Sequence, residues 1–194
     1  MKYLDISQDN RTTYVLKENE SCIFFLFNRS GDITFNLSGI GAAAHIFCFF
    51  IGKNAEKHSL HITQNHRAPQ TISHALIKST ASDTSVCEYE GTLFIEKNAV
   101  QSDASQESRA ILLSPDATVS MKPTLEILTH DVKCSHKATS GPIDPESLFF
   151  AQSRGLSYAE AEQLLITGFW NDALERINKL DINEEEREII KKYL

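Results

Sequence analysis

Short runs of β-branched and aromatic residues, separated by small polar turns, limit what this chain can fold into more than any other feature. The runs cover residues 23–27, 33–37, 43–51, 60–63, 72–78, 85–95, 110–114 and 124–128. Several of them alternate apolar and polar residues as a half-buried strand does, and few could form a helix. The sequence therefore predicts a protein built mainly of β-strands.

The turns between these runs are alike, because each carries an Asn or Asp among small or polar residues. These residues are Asn54, Asp83, Asn98, Asp116 and Asp131, and their spacing is 29 residues and then 15–18. Asn and Asp tolerate the left-handed backbone of a tight corner. Such regular turns are typical of a solenoid of stacked strands. An ordinary β-sandwich has similar turns, and the spacing alone favours the sandwich.

After Gly141 the pattern becomes helical. Three pairs of residues mark helix starts: Asp144 with Pro145, Ser157 with Glu160, and Asn183 with Glu186. The first pair places a capping carboxylate before a proline, and the other two form capping boxes. We expect the first helix to end near Gly155. The sequence therefore predicts a β domain over residues 1–141 and a helical subdomain over residues 142–194.

Composition and charge exclude several classes of protein. A net charge of −7 without a dense Lys/Arg patch disfavours a nucleic-acid-binding protein. The most apolar stretch, residues 39–52, is shorter than a membrane-spanning helix needs to be, and we interpret it as a buried strand. The start of the chain does not resemble a secretory signal. We therefore expect a cytoplasmic protein that does not associate with membranes.

Cysteine and histidine residues offer few opportunities for chemistry. The cysteines, Cys22, Cys48, Cys87 and Cys134, are far apart, so neither a zinc ribbon nor a redox motif is supported. The histidines His58, His61, His66 and His74 are irregularly spaced, which indicates structural or surface roles. The motifs of nucleotide-binding proteins and common hydrolases are absent.

Cys134 and His136 form the one close pair of soft ligands. On a strand they share a face with Val132 and Ala138, which suggests that both point towards a core. A thiolate and an imidazole at this spacing can bind a soft or borderline metal, and a neighbouring Lys or protonated His would favour the thiolate. A buried structural cysteine beside a hydrogen-bonded histidine fits the same pattern, and the residues alone favour that interpretation.

A longer series of residues around this pair changes the interpretation. The strings are Leu112-Leu113-Ser114, Pro123-x-Leu125-Glu126-Ile127, Asp131-Val132-Lys133-Cys134-Ser135-His136 and Leu148-Phe149-Phe150-x-x-Ser153-Arg154-Gly155. Over about residues 102–177 the chain resembles the SUF iron–sulfur cluster assembly family, and its SufD branch more than its SufB branch. Ala117 stands where SufB-like chains carry a cysteine, and Lys137 stands where they carry a glutamate.

The resemblance implies a right-handed parallel β-helix closed by C-terminal helices. It implies a non-catalytic scaffold subunit that pairs with a SufB-like paralogue and a SufC-like ABC ATPase, in which the ATPase activity would reside. Cys134 and His136 would hold iron or a nascent iron–sulfur cluster transiently at the subunit interface. No cofactor would be permanently bound. A homodimer is a further option for the pairing.

For the ATPase contact, the second predicted helix is the candidate surface, with Leu164, Leu165, Phe169 and Trp170 as its partner-binding residues. The same apolar residues could instead close the open end of a solenoid, whose strand edges would otherwise be exposed.

The chain also departs from the family pattern. The longer N-terminal region typical of SufD-like chains is missing, the family string C-S-H-G is C-S-H-K, and His130 replaces the first of two aspartates. An adaptor that binds partners without touching iron is therefore an alternative function. A carbohydrate-acting enzyme on a β-helix is another, but the clustered acids that it needs are not evident.

Overall fold

The chain forms a coil of parallel strands followed by two helices. The computed structural model describes residues 1–180. The strands are β1 (Lys2–Asp5), β2 (Thr13–Leu16), β3 (Ser21–Phe27), β4 (Gly31–Leu37), β5 (Ala43–Gly52), β6 (Lys57–His66), β7 (Ile72–Ala81), β8 (Val86–Ile95), β9 (Ser102–Leu112), β10 (Thr118–Ile127) and β11 (Val132–Pro142). The helices are α1 (Pro145–Ser153) and α2 (Tyr158–Asn178).

Successive strands alternate between two sheets. The odd-numbered strands form sheet A, in the order β1-β3-β5-β7-β9-β11, and the even-numbered strands form sheet B, in the order β10-β8-β6-β4-β2. All neighbouring strands within each sheet are parallel. One strand from each sheet therefore makes one turn of a β-helix, which confirms the solenoid and shows that the sandwich interpretation was wrong.

The spacing of the turns has a simple geometric origin. Residues stacked on successive coils are 29 apart at Asn54 and Asp83, and 32 apart at Glu90 and Lys122. The spacing of 15–18 residues seen in the sequence is therefore half a coil, or one strand and its turn. This is why the interval from Asn54 to Asp83 is roughly twice the later ones.

Only part of the predicted corner chemistry is correct. Asn54 and Asp83 have positive φ angles of 54° and 55°, as expected for left-handed corners. Asn98, Asp116 and Asp131 do not adopt this backbone, so the prediction was wrong for these three residues. Their corners are held differently; Asn98, for example, donates from Nδ2 to the Arg67 carbonyl oxygen at 3.1 Å.

The interior of the first coils is strongly apolar. Its buried aromatic residues include Tyr14, Phe24, Phe35 and Phe50. The rings of Phe24 and Phe35 are 4.7 Å apart, an arrangement that adds to the stabilisation from burial. Three cysteines, Cys22, Cys48 and Cys87, are buried in this core as free thiols. Burial raises the pKa of Cys22 to about 12 and that of Cys87 to about 11, so these thiols remain protonated.

The two helices begin where the sequence predicts. The Asp144 carboxylate accepts a hydrogen bond from the Ser147 N–H at 3.0 Å, and Ser157 and Glu160 form the expected capping box. Gly155, with φ of 97°, follows the end of α1. The third predicted helix start, at Asn183 and Glu186, lies outside the described residues.

Helix α2 packs on the outer face of sheet A. Its buried residues Trp170, Ala173 and Ile177 form one cluster with Ile23, Phe25, Phe47, Phe49 and Leu76 of the strands. The last strand ends at Pro142, close to the predicted domain boundary, but α2 and the coil share this core. The division into two domains remains a prediction. Within residues 1–180, no helix is both long enough and apolar enough to cross a membrane.

Candidate functional site

Cys134 lies on the inward face of β11, as the alternation of the sequence predicts. It is in register with Ala104, whose side chain is buried inside the coil. Together with Val132 and Leu125, it packs against a small apolar cluster at the end of the interior. The members of that cluster are Leu93, Ile95, Ala99 and Ala104.

His136 is on the same face of β11 but is exposed. It is in register with Gln106 of β9, which is buried. The difference arises because β10 and β11 are the last strands of their sheets in the described part of the chain. An inward-facing side chain on the last coil has no further coil above it. The Cys134–His136 pair therefore lies at an open end of the β-helix, where a second protein can reach it.

The surroundings of Cys134 favour the protonated thiol, whereas the sequence suggested that a neighbouring Lys or protonated His would favour the thiolate. Burial raises the pKa of this thiol, and the Asp103 carboxylate raises it further. Lys133 and Lys137 cannot counter this effect, because they are in register with Asp103 and Glu107 on the outer face of sheet A. A metal would therefore have to displace the thiol proton when it binds Cys134, so its affinity would depend on pH.

The pair alone cannot complete a metal site. Residues 1–180 contain no group of three or more Cys, His, Asp or Glu residues placed to hold a metal ion. A tetrahedral metal site needs more ligands than these two residues supply. Cys134 and His136 can thus supply part of a coordination sphere, and the remaining ligands would have to come from cargo or from another chain.

The four histidines between residues 58 and 74 have separate environments. His66 is buried, with its two ring nitrogens 2.7 Å from the hydroxyls of Thr71 and Ser73, and burial lowers its pKa to about 4. Two half-buried members of the group face carboxylates: His61 lies 3.3 Å from Asp32 and His74 lies 3.2 Å from Asp103. His58 stacks on Phe50, with the ring centroids 5.7 Å apart.

The four residues proposed for partner binding lie in two different places. Trp170 is 5% exposed and its ring is 5.7 Å from that of Phe49. Phe169 also faces the coil, with Lys78 Nζ 4.4 Å from its ring centroid. Leu164 is 54% exposed, and Leu165 is half-buried next to it in a shallow concavity. Only the two leucines are available to a partner while α2 remains on the sheet.

Exposed aromatic residues on α1 extend this surface. Phe149 and Phe150 are 73% and 62% exposed, and Phe150 lines the same concavity as Leu164 and Leu165. We call Phe150, Leu156, Leu164 and Leu165 the helical patch. The exposure of Phe150 was not predicted, although the sequence around it indicates that one apolar side chain must face outward. Three consecutive apolar residues, 148–150, point to different sides of a helix, so they cannot all be buried against one surface.

Comparison with known proteins identifies the family. Residues 28–169 match the model of the SufBD core domain of the SUF system for FeS cluster assembly. The chain belongs to this family. The match includes β11 with Cys134 and His136, and it extends into α2.

Several curated proteins are similar to the chain over part of their length. Protein ABCI7, chloroplastic, of Arabidopsis thaliana is 33% identical over 71% of this chain and 28% of its own length. The iron–sulfur cluster assembly proteins SufD of Escherichia coli (strain K12) and Bacillus subtilis (strain 168) are 33% and 34% identical over 58% and 61% of this chain. These matches confirm the expected likeness to SufD. The chain spans about a quarter of the length of these relatives, at 26–28%.

Proposed function

We propose that this chain is a scaffold component of the SUF system, and that Cys134 and His136 hold iron or a nascent iron–sulfur cluster as cargo. One observation carries the proposal: in a SufBD core domain, a thiol and an imidazole meet on the inward face of the last strand, at an open end of the coil. Thiolate and imidazole are suitable ligands for iron and for FeS clusters. In this role the chain is not an enzyme, and it works in the cytoplasm.

A SufB-like paralogue is the proposed partner at the open end. Strands β10 and β11 each have one neighbour in the described residues, so each presents an edge of unpaired backbone groups. Such edges readily pair with another chain. A partner docked there would also come close enough to supply the ligands that Cys134 and His136 lack. A second copy of this chain could occupy the same edges, and the experiment below separates the two cases.

The helical patch is the proposed docking surface for a SufC-like ABC ATPase. Phe150 on α1 and Leu164 on α2 are exposed, and the half-buried Leu156 and Leu165 line the same concavity. Apolar residues clustered around a concavity are typical of protein-binding surfaces. Because α2 is packed on the coil, an ATPase bound to the patch could act mechanically on the scaffold. Energy from ATP would thus enter through the partner.

The cargo proposal is tested by replacing Cys134 and His136 with alanine, together and separately. The chain is co-expressed with the SufB-like and SufC-like proteins of its own genome, and the purified complex is analysed anaerobically for iron and sulfide. We expect both contents to fall towards background while the complex persists. Lys137→Ala, on the opposite face of the same strand, is the matched control and should keep both.

Two other results would contradict the proposal. Iron and sulfide contents that do not change in the double variant would favour the adaptor that binds partners without touching iron. A homodimer that forms in place of the mixed complex, with the same dependence on Cys134, would replace the SufB-like partner by a second copy.

The ATPase proposal is tested with Phe150→Ser and Leu164→Ser. Both side chains are more than half exposed, so we expect the free energy of unfolding to change by only about 0.5 kcal/mol. Capture of the ATPase should fall strongly. Gln152→Ala, on an exposed part of α1, is the control. Full capture by the double variant would exclude the helical patch as the docking site.

A further inference from the structure

The interior of the coil becomes more polar towards the open end. On β5 the inward residues are Ala44, Ile46, Cys48 and Phe50, whereas on β9 they are Ser102, Ala104, Gln106, Ser108 and Ala110. Small and polar residues inside a coil bury less apolar surface, and each polar group must find a partner or lose free energy. The composition of β9 therefore requires a reason other than stability.

Gln106 is the most unusual residue in this region. Its side chain is inside the coil, the residue is 1% exposed, and neither Nε2 nor Oε1 has a hydrogen-bond partner. An unsatisfied buried polar group typically costs about 1–3 kcal/mol, and native interiors contain few of them. Two other unsatisfied groups lie on the inward faces of β8 and β9: the Tyr89 hydroxyl and the Ser108 hydroxyl.

Gly91 on the opposite sheet leaves room for the Gln106 carboxamide. A Cβ atom at Gly91 would lie 2.5 Å from Gln106 Oε1 and 2.5 Å from the Tyr89 hydroxyl oxygen. Both distances are well below the van der Waals contact distance. Glycine weakens a strand and often marks a place where another group approaches closely. Its presence here allows a long polar side chain to lie and turn inside the coil.

The nearest inward-facing residue towards the open end is His136. Gln106 and His136 are in register on adjacent parallel strands, which are about 4.8 Å apart, so the two side chains start from neighbouring positions on the inward face. No hydrogen bond to either ring nitrogen of His136 is found within residues 1–180. An imidazole that binds a metal almost always donates its other N–H to an acceptor, which fixes its tautomer and orientation. The buried carboxamide oxygen of Gln106 is such an acceptor.

We propose that Gln106 is a positioning residue for His136. In the structure the carboxamide oxygen lies against Gly91 without a partner. When the carboxamide rotates towards β11, this oxygen accepts a hydrogen bond from one ring N–H of His136 and leaves the other ring nitrogen free to face the open end. A residue hidden inside the coil thus determines how a residue at the surface presents its ligand atom. The consequence for iron rests on the proposed function, whereas the hydrogen bond itself does not.

The hydrogen bond is tested in the metal-free chain by Gln106→Met, which keeps the length of the side chain and removes the acceptor. The ring nitrogens of His136 are observed by two-bond ¹H–¹⁵N NMR. In the wild type we expect the two nitrogens to differ strongly in chemical shift, as in a single tautomer. In the variant the two shifts should converge towards those of free imidazole.

The matched control is Ser108→Ala. Ser108 is as buried as Gln106 and its hydroxyl also lacks a hydrogen-bond partner, but it is in register with Ala138 instead of His136. The Ser108→Ala variant should leave the chemical shifts of His136 unchanged. Equal His136 shifts in wild type and Gln106→Met would overturn the proposal. So would an effect of Tyr89→Phe on His136 equal to that of Gln106→Met, because the phenol would then be the positioning group.

A second readout uses Co²⁺ as the probe, with its affinity measured by absorbance. Loss of such a supporting hydrogen bond lowers metal affinity about 10–100-fold, so we expect a decrease of this size in Gln106→Met. In a His136→Ala background the same substitution should have no further effect. An undiminished Co²⁺ affinity in Gln106→Met would overturn the proposed effect on the metal. Because the NMR measurement needs no metal, it separates a failure of this inference from a failure of the iron proposal.

Discussion

Lys78 illustrates how single residues fasten the helices to the coil. Its side chain is 1% exposed, and its ammonium group lies 2.7 Å from the Asp172 carboxylate. It also donates to the Phe169 carbonyl oxygen and lies over the Phe169 ring. Burial lowers the pKa of Lys78, and the bond to Asp172 opposes this effect. A lysine is almost never buried without such partners, so the position of α2 and the charge on Lys78 depend on each other.

Removing the two members of this pair should have unequal effects. Asp172→Ala leaves an ammonium group buried without its carboxylate, which we expect to destabilise the chain by about 3 kcal/mol. Lys78→Met should cost less, because Asp172 keeps Arg176 at 3.2 Å. Urea unfolding followed by fluorescence measures both, since Trp170 of α2 is the single tryptophan. A larger loss in Lys78→Met would show that the ion pair does not fasten α2.

The sequence could place the two residues of the candidate site on one strand face but could not predict their exposure. Alternation along β11 was sufficient to place Cys134 and His136 on one inward face, because a strand has a period of two. The exposure of His136 depends on β11 being the last strand of sheet A, which local sequence does not reveal. The burial of Lys78 likewise depends on where a helix about 90 residues away packs, as its 91-residue separation from Phe169 shows.

Strand β9 shows why some elements were misplaced. The apolar pattern predicted a strand at residues 110–114, whereas the structure has β9 at Ser102–Leu112. Its inward side chains are mostly Ser, Ala and Gln, so the alternation of buried and exposed positions is invisible to a hydrophobic pattern. Strands β3, β4 and β5 have Phe, Ile and Leu inside and were located within about two residues. The poorly predicted β9 is also the strand that lies next to β11 and its candidate site.

Two glycines in different elements should respond oppositely to alanine. At Gly39, in the turn after β4, a Cβ would lie 1.9 Å from the backbone nitrogen of Glu18. Gly39→Ala therefore requires the backbone to move, and we expect a loss of about 2 kcal/mol or more. At Gly168 in α2, a Cβ would meet no neighbouring atom within 4 Å. Gly168→Ala should stabilise the helix by about 1 kcal/mol.

Thermal unfolding of the two variants, with the wild type as reference, checks this pair. The expected result is a lower midpoint for Gly39→Ala and a higher one for Gly168→Ala. A neutral Gly39→Ala would mean that the turn after β4 can open without disturbing the coils on either side.

At the scale of the whole molecule, the apolar core and the candidate site lie in different coils. A solenoid is held together by contacts between neighbouring coils. The coils around β3 to β5 have an aromatic interior and are covered on the outside by α2. The last coil has one neighbour, a polar layer beneath it and, within residues 1–180, no cover on its inward face. Cys134 and His136 therefore lie on a coil that has less support than the coils around β3 to β5.

Hydrogen exchange should reveal this gradient directly. In the isolated chain we expect the slowest amide exchange in β5 and β7, which have a strand on each side and lie beneath α2. We expect faster exchange in β11, because the opening free energy of a segment follows its buried apolar contacts and its number of neighbours. Addition of the proposed SufB-like partner should slow exchange in β11 more than in β5, if that partner supplies the missing neighbour. Protection of β11 equal to that of β5 in the isolated chain, and lost on dilution, would instead indicate that a second copy of the chain covers the open end.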